Sequence, residues 1–290
     1  MTTKKKILVA FGVVLSVVAI IASTIAGTVA YLTSSAVVLN AFTIGNVEMT
    51  MYETKVNADG VATETGTKTA DTNSYHLVPG KSYLKDPTIF LKPNAESSYL
   101  FIIARNDISS IESYDTLTMR EQLFENGWMK YGAAGTGNIY VYTGITRATV
   151  LDDGNSETTD KTLGEHIDAL KATATEKFAE IDADNTTYPT KAEKTAAKMA
   201  EAATRATAIE ALYTTYAVKA VGISTTTETK SIDLFTRFKV SPDANISAFG
   251  GAEVKVTAFA IQTADMGVVG ETTSLDKAWA AIRATYPYVV

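Results

Sequence analysis

Two histidines, His76 and His166, are the only imidazoles among 290 residues, and cysteine is absent. Thiol catalysis, disulfide staples and cysteine-ligated zinc or iron–sulfur sites are thereby excluded. A histidine-rich metal site is impossible, and the separation of the two histidines argues against a histidine-based triad. The zinc-peptidase helix signature, His-Glu-x-x-His, is missing. Its nearest approach is Glu165-His166 within Gly164-Glu165-His166-Ile167-Asp168, which a solvated helix face accounts for. His76 precedes a Pro-Gly turn and reads as a loop residue. Asp152-Asp153-Gly154-Asn155-Ser156-Glu157, with Asp160, offers the oxygen ligands that calcium takes. It lacks the alternating acids of an EF-hand, and an ordinary solvated loop is the simpler reading. No serine or threonine stands in a nucleophile elbow. These residues point to a chain without catalytic machinery, metal or cofactor: not an enzyme.

Charge narrows the partners. The net charge is −6, yet three of the 26 basic residues, Lys4, Lys5 and Lys6, and none of the 32 acidic ones lie in the first thirty positions. The remainder is more acidic still, and such a surface makes a poor nucleic-acid binder. After the lysines comes Ile7–Ala30, free of charge. As a helix it spans about 36 Å at about 1.5 Å per residue, enough for a bilayer core of about 30 Å. Two readings stand. One is a secretory signal, residues 1–30, cut between Ala30 and Tyr31 after the small-residue stretch Thr28-Val29-Ala30. The other is a permanent anchor. Either places the body of the chain outside the cytoplasm, secreted or at the cell surface.

The elements that follow are mostly strands. Val47-Glu48-Met49-Thr50-Met51-Tyr52-Glu53 alternates with the period of a half-buried strand. Residues 57–74 are polar and threonine-rich and read as a surface loop. Thr88–Leu91 is a second strand. Ser98–Ala104 is almost continuously apolar, as a central strand covered on both faces would be. Strands are also expected at 128–131, 138–143, 234–240 and 253–262. Several short strands with intervening turns predict an antiparallel sandwich. The middle differs. Leu163, Ile167, Leu170, Ala174, Phe178 and Ile181 recur at helical spacing behind a Thr162/Glu165 capping box, and Ala192 to Tyr216 does so behind Thr190/Glu193. This predicts an α-helical hairpin, 160–218, inserted into the sandwich domain 47–290, with Glu201 and Arg205 as a surface pair on its second helix. A last helix is expected over Leu275–Thr285.

Residues 31–46 are uncharged, with Val37, Val38, Leu39, Phe42 and Ile44 among small polar residues. Such a terminus forms a strand in its own sheet, is disordered, or completes the sheet of another copy, in which case a head-to-tail contact builds a filament.

Gly27-Thr28-Val29-Ala30-Tyr31-Leu32-Thr33, then Asn40-Ala41-Phe42-Thr43-Ile44-Gly45-Asn46-Val47, resembles the start of the TasA/camelysin family. His76-Leu77-Val78-Pro79-Gly80-Lys81 with Lys85-Asp86-Pro87-Thr88, and Val256–Gln262 with Ala278-Trp279, continue the resemblance. Leu32 replaces an aromatic and Ser34 an acid, and 152–230 matches nothing in the pattern. The resemblance implies a mainly β, jelly-roll-like sandwich preceded by a hydrophobic signal helix. It also implies export, cleavage by the signal peptidase SipW, and a structural subunit of a biofilm matrix fibre in Gram-positive bacteria. The subunit would polymerise with itself by donor-strand exchange through Val37, Val38, Leu39, Phe42 and Ile44, and contact other matrix proteins or polysaccharide. The alternatives are a camelysin-like surface metallopeptidase and a membrane-anchored adhesin.

Overall fold

A computed structural model describes residues 47–64, 66–70, 72–135, 137–152, 154, 160–263 and 274–286, and the backbone of 30–37. The expected signal helix, and Val38, Leu39, Phe42 and Ile44, lie outside the described residues. Among the described residues no helix is long and apolar enough to cross a membrane.

Fourteen strands are present among the described residues: β1 (Ala30–Val37), β2 (Met49–Thr54), β3 (Lys68–Ala70), β4 (Thr72–Leu77), β5 (Ser82–Leu84), β6 (Thr88–Leu91), β7 (Ser98–Asn106), β8 (Trp128–Ala134), β9 (Gly137–Tyr142), β10 (Val150–Leu151), β11 (Lys161–Thr162), β12 (Lys230–Asp233), β13 (Arg237–Lys239) and β14 (Val254–Gln262). They are accompanied by four α-helices: α1 (Met119–Glu125), α2 (Leu163–Ala183), α3 (Lys191–Thr215) and α4 (Leu275–Thr285). The fold is therefore mixed, with mostly antiparallel sheets, and the expectation of a mainly β chain understates its helices. One sheet has the order β4-β1-β14-β7-β9-β8, a second β12-β6-β2-β3, and β13-β5 and β10-β11 form small ribbons. Every pairing is antiparallel except β1 with β14.

The near-continuous apolar run in β7 is explained by cover on both faces. Leu100 and Ile102 enter the main core between the two larger sheets, with Met49, Met51, Ile89, Leu91 and Ile232 across from them. Tyr99, Phe101 and Ile103 face the other way, beneath Ala278, Trp279 and Ile282 of α4. Trp279 lies 5.3 Å from Phe101, ring centre to ring centre. The Ser274 hydroxyl accepts from the Lys277 N–H and starts that helix.

Both hairpin helices begin at the expected capping boxes, Thr162/Glu165 and Thr190/Glu193. The hairpin is pinned to α1 by a charge that sequence spacing assigned elsewhere. Arg205 is buried rather than on a surface face with Glu201. Its Nε donates to Glu121 Oε1 at 2.7 Å and its Nη2 to Oε2 at 3.1 Å, while Nη1 and Nη2 also reach the carbonyls of Tyr114 and Thr116. Residues 57–74 are not all loop, since β3 and the start of β4 lie within them. Of the predicted strand 234–240 only Arg237–Lys239 is strand, β13, with Leu234–Thr236 linking it to β12, which the prediction missed.

Candidate assembly site

The strand β1 occupies an interior position of the six-stranded sheet, and two different elements hold it. Its first six residues pair antiparallel with β4, from Ala30 opposite Leu77 to Ser35 opposite Thr72. Its last three pair parallel with β14, from Ser35 beside Lys255 to Val37 beside Thr257. Parallel neighbours need a long connection, and here the two strands come from opposite ends of the sequence. Without β1, both β4 and β14 would present an unpaired edge, a template for another strand. Of the residues expected to act in assembly or processing, Ala30, Tyr31 and Val37 lie on this strand.

The walls of this slot owe their form to local sequence. In β4, Asn73, Tyr75 and Leu77 are buried and Thr72 and Ser74 exposed, the alternation of a one-sided strand. The strand is followed by the Pro79-Gly80 turn, where Gly80 has φ of +81°, a conformation that glycine adopts without a Cβ penalty. The turn is fixed by Lys81 N–H donating to the Val78 carbonyl at 3.1 Å and Gly80 N–H to that of Val240 at 3.0 Å. The wall formed by β14 is apolar, with Val254, Val256, Ala258 and Ala260 on the side of the main core.

Behind β4 lies a polar cluster that the strand pattern did not bring to notice. Glu53 is 0% exposed and Lys85 1%, with Lys85 Nζ 2.8 Å from Glu53 Oε2. Burial pulls the Lys85 ammonium below its ordinary value, opposed by the Glu53 carboxylate. The Tyr75 hydroxyl donates to the Leu84 carbonyl at 2.9 Å. Burial, with the nearby charges of Glu53 and Asp86, pushes that phenol far above its usual range. Asp86 closes the cluster by accepting from the Thr54 N–H and hydroxyl, both at 2.8 Å. A signal for Glu53 existed: it continues the buried face set by Val47, Met49 and Met51.

Among the described residues the candidate metal ligands do not converge. Among the described residues no three histidine, aspartate or glutamate side chains are placed to hold a metal ion. The Glu165 carboxylate is spent on the helix cap, accepting from the Thr162 N–H at 2.7 Å. His166 is half-buried against Tyr216, with ring centres 5.0 Å apart, rather than on a solvated face. Burial lowers its pKa. His76 is no loop residue: it lies on β4, opposite Tyr31. Of the acidic loop only Asp152, Gly154 and Asp160 are described, with Asp152 Oδ1 accepting from the Gly154 N–H at 2.6 Å in a local turn. No family model, curated protein or solved structure significantly matches the chain.

Proposed function

We propose that the chain is an exported structural subunit of an extracellular fibre, assembled by passing its N-terminal strand to the next copy. The observation that carries this reading is the place of β1: a strand directly behind the hydrophobic segment 7–30 sits inside a sheet, between two edges contributed by later sequence. A strand from another copy could satisfy the same backbone groups. In the parallel register that sets Val37 beside Thr257, a donor strand continuing along β14 would bring its Val38 beside Ala258 and its Leu39 beside Phe259. Those residues, with Phe42 and Ile44, would supply the apolar part of the contact. The resemblance of the N-terminal and Pro-Gly segments to TasA/camelysin proteins supports the same reading. So does a main core shared by two sheets, between which the chain passes repeatedly, consistent with a jelly-roll-like sandwich. Cleavage between Ala30 and Tyr31 would free the strand to leave its own copy, and the assembled matrix could include other proteins or polysaccharide.

A second reading, a membrane-anchored adhesin, is favoured by the fact that β1 already pairs within its own chain. Negative-stain microscopy separates the two. A chain beginning at Tyr31 should form filaments and one beginning at Val47 should not. Monomers from the Tyr31 chain would reject the fibre reading in favour of the adhesin.

A further inference from the structure

A cavity of about 380 Å³ lies between the helical hairpin and the six-stranded sheet. The hairpin contributes Met199, Ala202 and Ala206 from α3, the sheet Tyr140 from β9 and Val256 from β14, and α1 its first residue, Met119. The volume falls within the about 300–1,000 Å³ of pockets that take small organic molecules, which are likewise largely apolar with a few polar groups. Every residue of the wall is among the described ones. The charge in that wall is unbalanced. Four carboxylates are buried among the described residues: Glu53, Asp86, Glu112 and Glu121. Glu53 is paired with Lys85, Asp86 with Lys68 and Glu121 with Arg205. Glu112 accepts only from neutral groups, the Asn106 side-chain amide and the Met119 N–H, and has no ion pair among the described residues. Those residues include every lysine and arginine of the chain except Lys4, Lys5 and Lys6. Glu112 and both of its donors line the cavity, which places the carboxyl at the wall. Two arginines line it as well, but each has an acid of its own. Arg105 bonds to Asp107 at 2.7 Å, and Arg120 pairs with Glu210.

We propose that this cavity binds a small organic ammonium ion, with its apolar body against α3 and β14 and its charge against Glu112. An ionised carboxylate buried without a countercharge is costly, and a bound cation gives Glu112 what the other three buried acids already have. A carboxylate has about four acceptor positions, of which Asn106 and Met119 take two, so ammonium N–H donors have acceptors left to meet. Tyr140 and Phe235 are also on the wall, and aromatic surface suits a cation better than an anion. An anionic ligand would instead meet a carboxylate beside two arginines that are already neutralised. The site does not rest on the fibre reading. It is built by the hairpin, within the stretch 152–230 that has no counterpart in the TasA/camelysin pattern, and it stands whether or not β1 is exchanged.

Met119 and Met199 are on the wall, so methionine-methyl NMR of the full chain reads the site directly. The probes are n-pentylammonium, n-pentanol and n-pentanoate, which share one apolar body and differ in charge. At about pH 8 an alkylammonium, with a pKa near the roughly 10.4 of lysine, is charged. Pentylammonium should shift the Met119 and Met199 methyl signals saturably and bind about tenfold or more tighter than pentanol or pentanoate. Equal affinity for the three probes overturns the proposal, as does the absence of saturable shifts at those two methyls. Glu112→Gln should abolish the preference for pentylammonium over pentanol, and a preference that persists in the variant also overturns it. Ala203→Trp gives a test that leaves Glu112 and its hydrogen bonds untouched. Ala203 is an exposed residue of the same wall, and a bulky ring there narrows the entrance. It should weaken pentylammonium binding about tenfold or more, and undiminished affinity places the ligand elsewhere and rejects the site.

Discussion

Glu112 is a carboxyl group held where its charge is poorly solvated. It is 4% exposed, and its oxygens accept from the Asn106 side-chain amide at 2.6 Å and the Met119 N–H at 2.8 Å. Burial raises its pKa from the ordinary 4.5 to about 7, aided by the charge of Glu121 and opposed by those two hydrogen bonds. Folded chains therefore hold a proton that unfolded chains release between those values. The stability this confers is complete below about pH 4.5 and is lost as the pH rises to about 7, with a slope of at most about 1.4 kcal/mol per pH unit. Thermal melts of the parent and of Glu112→Gln across that window check the assignment. The parent should lose melting temperature as the pH rises, and the variant should lack that component. An identical slope in both would assign the dependence to another group.

At the scale of elements, the hairpin 163–215 is joined to α1 by the bidentate Arg205–Glu121 contact, alongside the Arg120–Glu210 pair and the Tyr213 hydroxyl donating to the Phe124 carbonyl. Arg205→Met leaves Glu121 buried without its partner and should cost about 3–5 kcal/mol in urea denaturation. Arg205→Met with Glu121→Leu should recover most of that. It should fall short by about 1 kcal/mol, because Glu121 also closes the capping box with Thr118. A double variant as unstable as the single would show that the charge pair is not what joins the elements. Helices and central strands were legible in the sequence because their signals are local: capping residues three positions apart, an apolar stripe, a continuous apolar run in β7. The Thr118/Glu121 box is equally local, but the seven-residue helix behind it is too short to show an apolar stripe. β4 was not legible. Its buried face begins with Asn73, its surroundings are rich in threonine and glycine, and the strand becomes regular by pairing with β1, more than forty positions earlier in places. Arg205 was misplaced for the same reason, since its partner Glu121 is 84 residues away. Of the candidate site, the segment 31–46 was conspicuous for its lack of charge, but the slot and its charged floor exist only once distant strands meet.

The whole molecule is layered: α4, the six-stranded sheet, then the smaller sheets, with the hairpin joining the main core through Leu163, Ile167, Ile209 and Tyr213. The α4 layer hangs chiefly on one side chain. Trp279, 7% exposed, touches both Phe101 and Phe259. Trp279→Ala should cost about 3–5 kcal/mol, measured by denaturant unfolding; a loss under about 1 kcal/mol would mean that the helix contributes little to cover that face. The placement of β1 has a mechanical side. Tension applied at the N-terminus of the chain runs along β1, so the hydrogen bonds to β4 and to β14 are strained sideways together rather than peeled one after another. The two ladders flank the strand over adjoining stretches, 30–35 and 35–37, so both must give way before the strand is released. Pulled from that end in a force spectrometer, the molecule should hold until a single abrupt rupture, whereas pulling across the β8 edge should open the sheet gradually.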